Sequence, residues 1–403
     1  MASPLEGIRV IELASFVAAP SAGALLVDLG AEVIKVEVPW GEIYRHSTAR
    51  MMGVEADFDL SAPFQMSNHG KKSLALDLAL PQAQTALRKV VDSADVLLTN
   101  MLPERIARYG LDPEKLRKEN PKLIVARLSG YGADGPDAET PAFDYTAYWA
   151  RSGLMEQLRE DGGTVSFQRP GIGDHSAGMA LALAILAALR TRDLEGEGQI
   201  IDVALQDIGY YIAGNDMSWA LATGQSPPKH DRTRPRNPLW NHYVCRDGRS
   251  IFLVMIEADR YWKNFVEAIG HPELGQDERF ADAFARYHNS AELVLLLDAL
   301  FAEKTLEEWT KDLEGHRLIW APVRTHAEAA LDETALARGA FPVVEHPEQG
   351  SFRTIGPPFS MSRHAMPGNA PAPKLGADTE NVLKESGIDQ ETVDLLVAAS
   401  AKP

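Results

Sequence analysis

Cysteine is nearly absent: the 403 residues hold one, Cys245. A single thiol excludes an internal disulfide and any Cys-x-x-Cys metal pair, and it fits a reducing compartment. The 11 histidines are scattered, with no His-Glu-x-x-His spacing, so no metal site is expected. Positive charge is scarce. Lys and Arg number 40 against 57 acidic residues, a formal net charge of -17. Such a chain is not expected to take nucleic acid as a partner, because phosphate-backbone binding draws on a broad basic face. An anionic small molecule needs only a local basic pocket and stays open. The longest apolar run, residues 177–189, is too short to cross a bilayer. Glu6, Arg9 and Glu12 break the apolar stretch near the N-terminus, which therefore does not read as a signal peptide. A cytoplasmic protein with no membrane partner is expected.

What is present is an ordinary globular composition, 45% hydrophobic and 24% charged. The length suits two or three domains. Short apolar runs at 8–13, 33–38, 74–78, 96–99 and 123–128 read as strands, with helices at 21–29 and 82–92 between them. That alternation predicts an α/β fold with a doubly wound, Rossmann-like parallel sheet. Residues 226–238 are polar and proline-bearing and read as a linker. Beyond it, a short sheet and helices at 261–269, 291–302 and 306–313 suggest a smaller α+β domain. The expected organisation is a large domain at 1–225, a small domain at 226–330, and a segment at 331–403 returning to the large domain. Trp262, Trp309 and Trp320 read as core. No internal repeat is evident.

Several segments could carry chemistry. Asp174 follows the glycine-rich turn Pro170, Gly171, Ile172, Gly173 and precedes a run of small apolar residues, 176–190, that predicts a buried helix. A carboxylate so placed can attack an activated acyl group. Backbone N–H groups at the helix start would stabilise negative charge developing there. Taken alone, the segment favours a simple helix cap, since Asp is among the best N-cap residues. Gly130, Gly132 and Gly135 match the dinucleotide pattern, but Pro136 and Pro141 follow and no helix opens. A tight turn is expected instead, which weakens any hydride-transfer reading. Lys71 and Lys72 at a strand start could meet a phosphate or form an ordinary solvated turn. Asn100 ends a strand and precedes Arg105 and Arg108 on a short helix. Ligands of open α/β sheets bind outside the carboxyl ends of the strands. The cluster Phe143, Asp144, Tyr145, Tyr148, Trp149 reads as core packing plus a cap.

Together these segments resemble the class III CoA-transferases, which include carnitine CoA-transferase, formyl-CoA transferase and alpha-methylacyl-CoA racemase. The likeness spans nearly the whole chain: residues 4–13, 29–37, 68–77, 95–100, 130–136, Gly173-Asp174, 196–199 and 202–205. It implies an interlocked homodimer, acyl-CoA and a free carboxylic acid as substrates, and no permanently bound cofactor. It assigns Asp174 as the nucleophile of a covalent transfer through a mixed anhydride and an aspartyl-CoA thioester. It assigns Lys71, Asn100 and Arg108 to coenzyme A, with the turn 14–19, including Ala18, lining the CoA pocket.

The departures are informative. Phe16 and Val17 replace polar residues that some relatives carry, and Val38 stands where some carry an arginine. Racemases place a histidine directly before the aspartate at Asp144; Phe143 moves no proton. The glycine-rich loop of formyl-CoA transferase has no match, which weighs against formyl or oxalyl specificity. Phe143, Tyr145, Tyr148 and Trp149 point to a larger or more apolar acid. Asn237-Pro238-Leu239 with Tyr243 resembles the branch acting on hydroxyacids and aryl acids. The competing readings are an acyl-CoA racemase or isomerase, a non-catalytic acyl-CoA-binding protein, and, last, a nicotinamide enzyme.

Overall fold

Six apolar segments build one parallel sheet in the computed structural model, which describes residues 3–55, 59–366 and 368–400. The strands are β1 (Arg9–Leu13), β2 (Glu32–Glu37), β3 (Lys72–Ala75), β4 (Val96–Thr99), β5 (Ile124–Ser129) and β6 (Ile200–Ala204). Their order is β3-β2-β1-β4-β5-β6, and every neighbouring pair is parallel. This is the doubly wound arrangement read from the sequence, with the strand order reversing between β1 and β4. The predicted strands and helices match within a few residues at their ends. Gly132 and Gly135, at φ 98° and 97°, form a turn with no helix opening behind them.

Both faces of the sheet are covered, which is why its strands are apolar on both sides. Helices α1 (Ala18–Asp28) and α3 (Ile172–Glu195) pack on one face, against Val10, Val33, Val96, Leu98, Ile124 and Ala126. Helix α2 (Pro81–Asp92) covers the other, where Ala83, Ala86, Leu87 and Val90 meet Ile11, Ile34, Leu97 and Val125. Helix α1 begins three residues earlier than the sequence suggested. Pro20 lies in its first turn, where its missing N–H leaves no intrahelical bond unmade.

The long helix differs from expectation in two ways. It runs for 24 residues, so by length and composition it could cross a membrane, unlike the shorter apolar run inside it. It is also buried on one face only. Ala177, Leu181, Ile185 and Ala188 point inward, while Met179, Leu183 and Leu194 are exposed. Its inner face lies very close to α1. A Cβ built on Gly178 would stand 2.0 Å from Ser21 Oγ and 2.7 Å from the Ala18 carbonyl oxygen.

The chain divides into two compact units. The unit with the parallel sheet comprises Met1–Leu158, Val165–Pro227 and Glu333–Pro403. Its last part closes the free edge of β3. Asp378 Oδ2 accepts from Ser73 N at 2.8 Å, Thr379 Oγ1 accepts from Ala75 N at 3.0 Å, and Ser400 Oγ donates to the Ala75 carbonyl at 2.8 Å. Unpaired backbone groups at a sheet edge otherwise invite pairing with another chain.

The other unit, Arg159–Thr164 with Pro228–Asp332, carries the antiparallel strands β7 (Trp240–Val244), β8 (Ser250–Val254) and β9 (Trp320–Pro322). Its core includes Tyr243, Trp262, Phe265, Phe301 and Trp309. The segment around Asn237 belongs to this core. Asn237 Nδ2 donates to the Met255 carbonyl at 3.0 Å and Tyr243 Oη to the Pro238 carbonyl at 2.8 Å. Tyr243 is fully buried, so its hydroxyl cannot contact a substrate in this fold. Burial pushes the Cys245 thiol up to about 11, which keeps it protonated and unreactive.

The Gly178 contact yields a prediction. Gly178→Val forces α3 off the backbone of α1 and should lower unfolding free energy by about 1–3 kcal/mol, the usual cost of overpacking. Urea or thermal denaturation measures it.

Candidate active site

The first turn of α3 is built around two carboxylates. Gly171, at φ 92°, is the N-cap residue, and Asp174 is the third residue of the helix with no capping bond of its own. The cap comes instead from Asp144, which is buried. Asp144 Oδ2 accepts from Gly171 N at 2.9 Å, and its carboxylate also receives the N–H groups of Gly173 and Asp174. The capping reading of Asp174 is therefore not what the fold shows. The helix-start N–H groups, expected to stabilise charge developing at Asp174, are already engaged by Asp144.

Burial raises the Asp174 carboxyl from the usual 3.8 to about 7, and the nearby Asp144 charge adds to the rise. The helix dipole favours an anion at this position, but burial prevails. A carboxylate that binds its proton this tightly, with little water around it, is a better nucleophile than an ordinary aspartate.

Helical spacing tells which way Asp174 faces. Positions i and i+4 share a face, so Asp174 lies above Gly178, on the side where α3 meets the start of α1. Tyr44 is there too: burial and the charges of Asp174, Glu42 and Asp144 push its phenol up to about 12. The turn between β1 and α1 thus borders the Asp174 carboxylate.

That turn rests on a buried charge network. Glu12 in β1 and Lys35 in β2 are charged residues with no exposed surface. Lys35 Nζ lies 3.1 Å from Glu12 Oε1, 2.8 Å from Glu42 Oε1 and 2.9 Å from the Ala14 carbonyl. The surrounding carboxylates hold its ammonium well above the usual lysine range despite complete burial. Glu42 Oε2 accepts from Phe16 N at 2.5 Å. Arg45 grips Glu37 through two nitrogens, at 3.1 and 2.6 Å, and its guanidinium holds the Glu37 carboxyl below the usual range against the effect of burial.

Lys71, expected to meet coenzyme A, lies inside this network. Its Nζ donates to Glu12 Oε2 at 2.7 Å, to Asn68 Oδ1 at 2.9 Å and to the Pro20 carbonyl at 2.9 Å. An ammonium has three protons, and its side chain has no exposed surface. Burial pulls it down to about 8, against the pull of Glu12. Gly23 makes the space: a Cβ there would stand 2.1 Å from Glu12 Oε2. Asn100 braces the same turn from the end of β4. Its Oδ1 accepts from Ser15 N at 3.1 Å and its Nδ2 donates to the Ser15 carbonyl at 2.8 Å. Ala18 is the buried first residue of α1. Lys71, Asn100 and Ala18 therefore converge on one turn at the point where the strand order reverses. Arg108 stands apart on the helix Pro103–Arg108, its side chain 70% exposed and bonded to Glu104 at 3.4 Å.

Residues 5–379 match the model of CoA-transferase family III. The chain belongs to that family. It is 31% identical to the (R)-2-hydroxy-4-methylpentanoate CoA-transferase of Clostridioides difficile, over 97% of each chain. It is likewise 31% identical to the cinnamoyl-CoA:phenyllactate CoA-transferase of Clostridium sporogenes, over 97% of this chain and 95% of that one. The crystal structure of a CAIB/BAIF family protein from Brucella suis superposes with a TM-score of 0.84 at 29% identity, covering 96% of this chain and all of that one. Family III relatives with named activities are CoA-transferring enzymes acting on different acids. Among the described residues of this family III chain, no cluster of His, Cys, Asp or Glu could hold a metal ion.

Sequence reasoning missed Glu12, Lys35 and Glu42 as a group. A signal was present: charged residues inside strands buried on both faces must be paired. It also took Asp144 for an ordinary cap, whereas Asp144 caps a helix 27 residues away in sequence.

Two outcomes follow from the carboxylate pair. Asp144→Asn keeps a side-chain oxygen for Gly171 but removes a negative charge, so the titration of Asp174 should move to lower pH. In the unsubstituted protein, Asp174 should ionise as pH rises through about 7, as carboxyl-carbon NMR across pH would record. The folded state binds the Asp174 proton more tightly than the unfolded chain, so its contribution to stability falls as pH rises from about 4 to about 7. Asp174→Asn escapes that loss and should be more stable at pH 8, by on the order of 1–3 kcal/mol, but not at pH 4.

Proposed function

We propose that this protein moves coenzyme A from an acyl-CoA to a free carboxylic acid, with Asp174 as the nucleophile. The observation that carries the reading is a half-buried aspartate, titrating near 7, at the start of a helix beside the switch point of a doubly wound sheet. Ligands of such sheets bind there.

The steps balance without an external base. The Asp174 carboxylate attacks the thioester carbonyl, the C–S bond breaks, and a mixed anhydride and CoA thiolate form. The thiolate attacks the Asp174 carbonyl, releasing the donor acid as its carboxylate and leaving an aspartyl-CoA thioester. The acceptor carboxylate then attacks that thioester, expels the thiolate and forms a second anhydride. Attack of the thiolate on the acceptor carbonyl gives the new acyl-CoA and restores Asp174. Each step exchanges one anion for another, so the thioester energy stays on the enzyme while the acids change places.

Coenzyme A would run along the carboxyl ends of β1 and β4, past Ala18 and Asn100, with exposed Arg108 available to its phosphates. Lys71 would support the turn from beneath it, because its protons are bonded within the protein. The relatives named for a branched hydroxyacid and for aryl acids favour an apolar monocarboxylic acid as substrate. We also propose a homodimer in the cytoplasm. The helix Gly214–Thr223 has no buried residue, although it carries Trp219 and Leu221. Exposed apolar faces of this kind mark interaction surfaces.

Incubation with a panel of acyl-CoAs, followed by intact-mass measurement, tests the mechanism. An acyl or CoA adduct should form on the unsubstituted protein and be absent in Asp174→Ala, whose turnover should fall by at least about a thousandfold, as for loss of other covalent nucleophiles. Clear binding of acyl-CoA with no adduct from any donor would reject it.

A further inference from the structure

Phe16 and Arg317 are the two non-glycine residues with positive φ among the described residues. At φ 65°, Phe16 holds a bulky side chain in the left-handed region, a conformation that L side chains rarely adopt. Glycine would adopt this turn without strain, so the position gains something from the ring. Strain of this sort, held in place by its surroundings, clusters at functional sites. What holds it is the bond from Phe16 N to Glu42, itself anchored on buried Lys35.

The ring does not join the core. Phe16 is 37% exposed and Phe143 57% exposed, and the two meet edge to face with centroids 5.3 Å apart at 83°. Tyr44, which feels the Asp174 charge, lies 6.3 Å from Phe16. Tyr145, which also feels that charge, lies 5.5 Å from exposed Phe167. Aromatic side chains therefore gather around the reacting carboxylate. An acyl group whose carbonyl sits at Asp174 would lay its chain against them. Among the described residues, no positive side chain offsets the burial of Asp174. The cation acting on Tyr145, Arg169, is exposed. A second carboxylate on the acid would find no buried partner here, whereas an aromatic ring would find ring edges and faces.

We propose that Phe16 and Phe143 are a specificity-determining ring pair that receives the aromatic ring of an arylalkanoyl thioester. The inference rests on the transfer reading above for where the acyl carbonyl sits. Glu42 is the positioning residue, since it fixes the backbone that aims the Phe16 ring.

Calorimetric binding of 3-phenylpropionyl-CoA and butyryl-CoA tests this. The Asp174→Ala protein is used, alone and with Phe16→Gly or Phe143→Ala, so that no transfer consumes the ligand. Phe16→Gly removes the ring at a turn glycine prefers, and the fold should be retained. The aryl thioester should bind about tenfold tighter than butyryl-CoA, and each ring removal should cut that ratio by about threefold or more. Because Phe16 lies in the turn that borders coenzyme A, the ratio of the two affinities, and not the affinity for butyryl-CoA itself, reads the ring. The kcat/KM ratio of the two donors, measured with Asp174 present, should fall in parallel. Equal binding of the two thioesters, or a ratio unchanged by both substitutions, overturns the proposal. So does equal loss of both thioesters, which would mark a structural role. If Asp174 forms no adduct yet the ratio still depends on the rings, the transfer mechanism fails and aryl recognition stands.

Discussion

The buried ammonium of Lys35 is the point on which the site depends. It joins Glu12 from β1, Glu42 from the loop after β2, and the Ala14 carbonyl. Lys71 closes the same group from the start of β3 side, through Glu12. Taking such charges out of water is costly, and removal of one partner typically costs 3–5 kcal/mol because the other is left buried and unpaired. The group therefore behaves as a unit. It ties the first three strands together at the end where ligands bind, and it fixes the turn that carries Ser15, Phe16 and Ala18. A hydrophobic cluster of the same volume could fill the space but would not hold Phe16 N–H in its strained conformation.

From that turn the geometry passes to the long helix. Gly178 lets α3 lie against α1, and one helical turn earlier Asp174 faces the same side. Asp144 takes over the capping of α3, which has two effects. It satisfies the N–H groups that would otherwise be exposed in a partly apolar site. It also places a second negative charge near Asp174 and so helps keep that carboxyl near neutrality. The result is an aspartate that holds its proton up to about pH 7, a perturbation of the kind that gathers at functional sites.

Much of the fold was legible. β4 (Val96–Thr99) was bounded correctly from its apolar run alone, and the alternation of strands and helices implied the doubly wound sheet. The turn at 130–135 was read correctly because no apolar helical period runs between Pro136 and Pro141. Asp174 stood out through the glycines before it and the small residues after it, but that segment alone favoured a helix cap, and its assignment as nucleophile came from the family resemblance. Less legible was everything that depends on contacts distant in sequence. Lys71 at a strand start read as a solvated turn or a phosphate contact, and the resemblance assigned it to coenzyme A; Glu12, 59 residues away, turns its ammonium inward. Phe143 and Tyr148 belong to one aromatic run, yet Phe143 faces solvent and Tyr148 the core. The run forms a π-helical turn over Tyr145–Ala150, a rare geometry that periodicity does not reveal.

The sequence by itself determined the element order, the class of sheet and the carboxylate, Asp174, that opens the long apolar helix. These are properties of local pattern: apolar period, glycine and proline punctuation, and chain order. Tertiary structure alone decided the ionisation of that carboxylate, the inward turn of Lys71 and the outward aim of Phe16. Each of these depends on burial and on partners tens of residues away, because the energy of a charge or a strained backbone is set by what surrounds it in space and not by its neighbours along the chain.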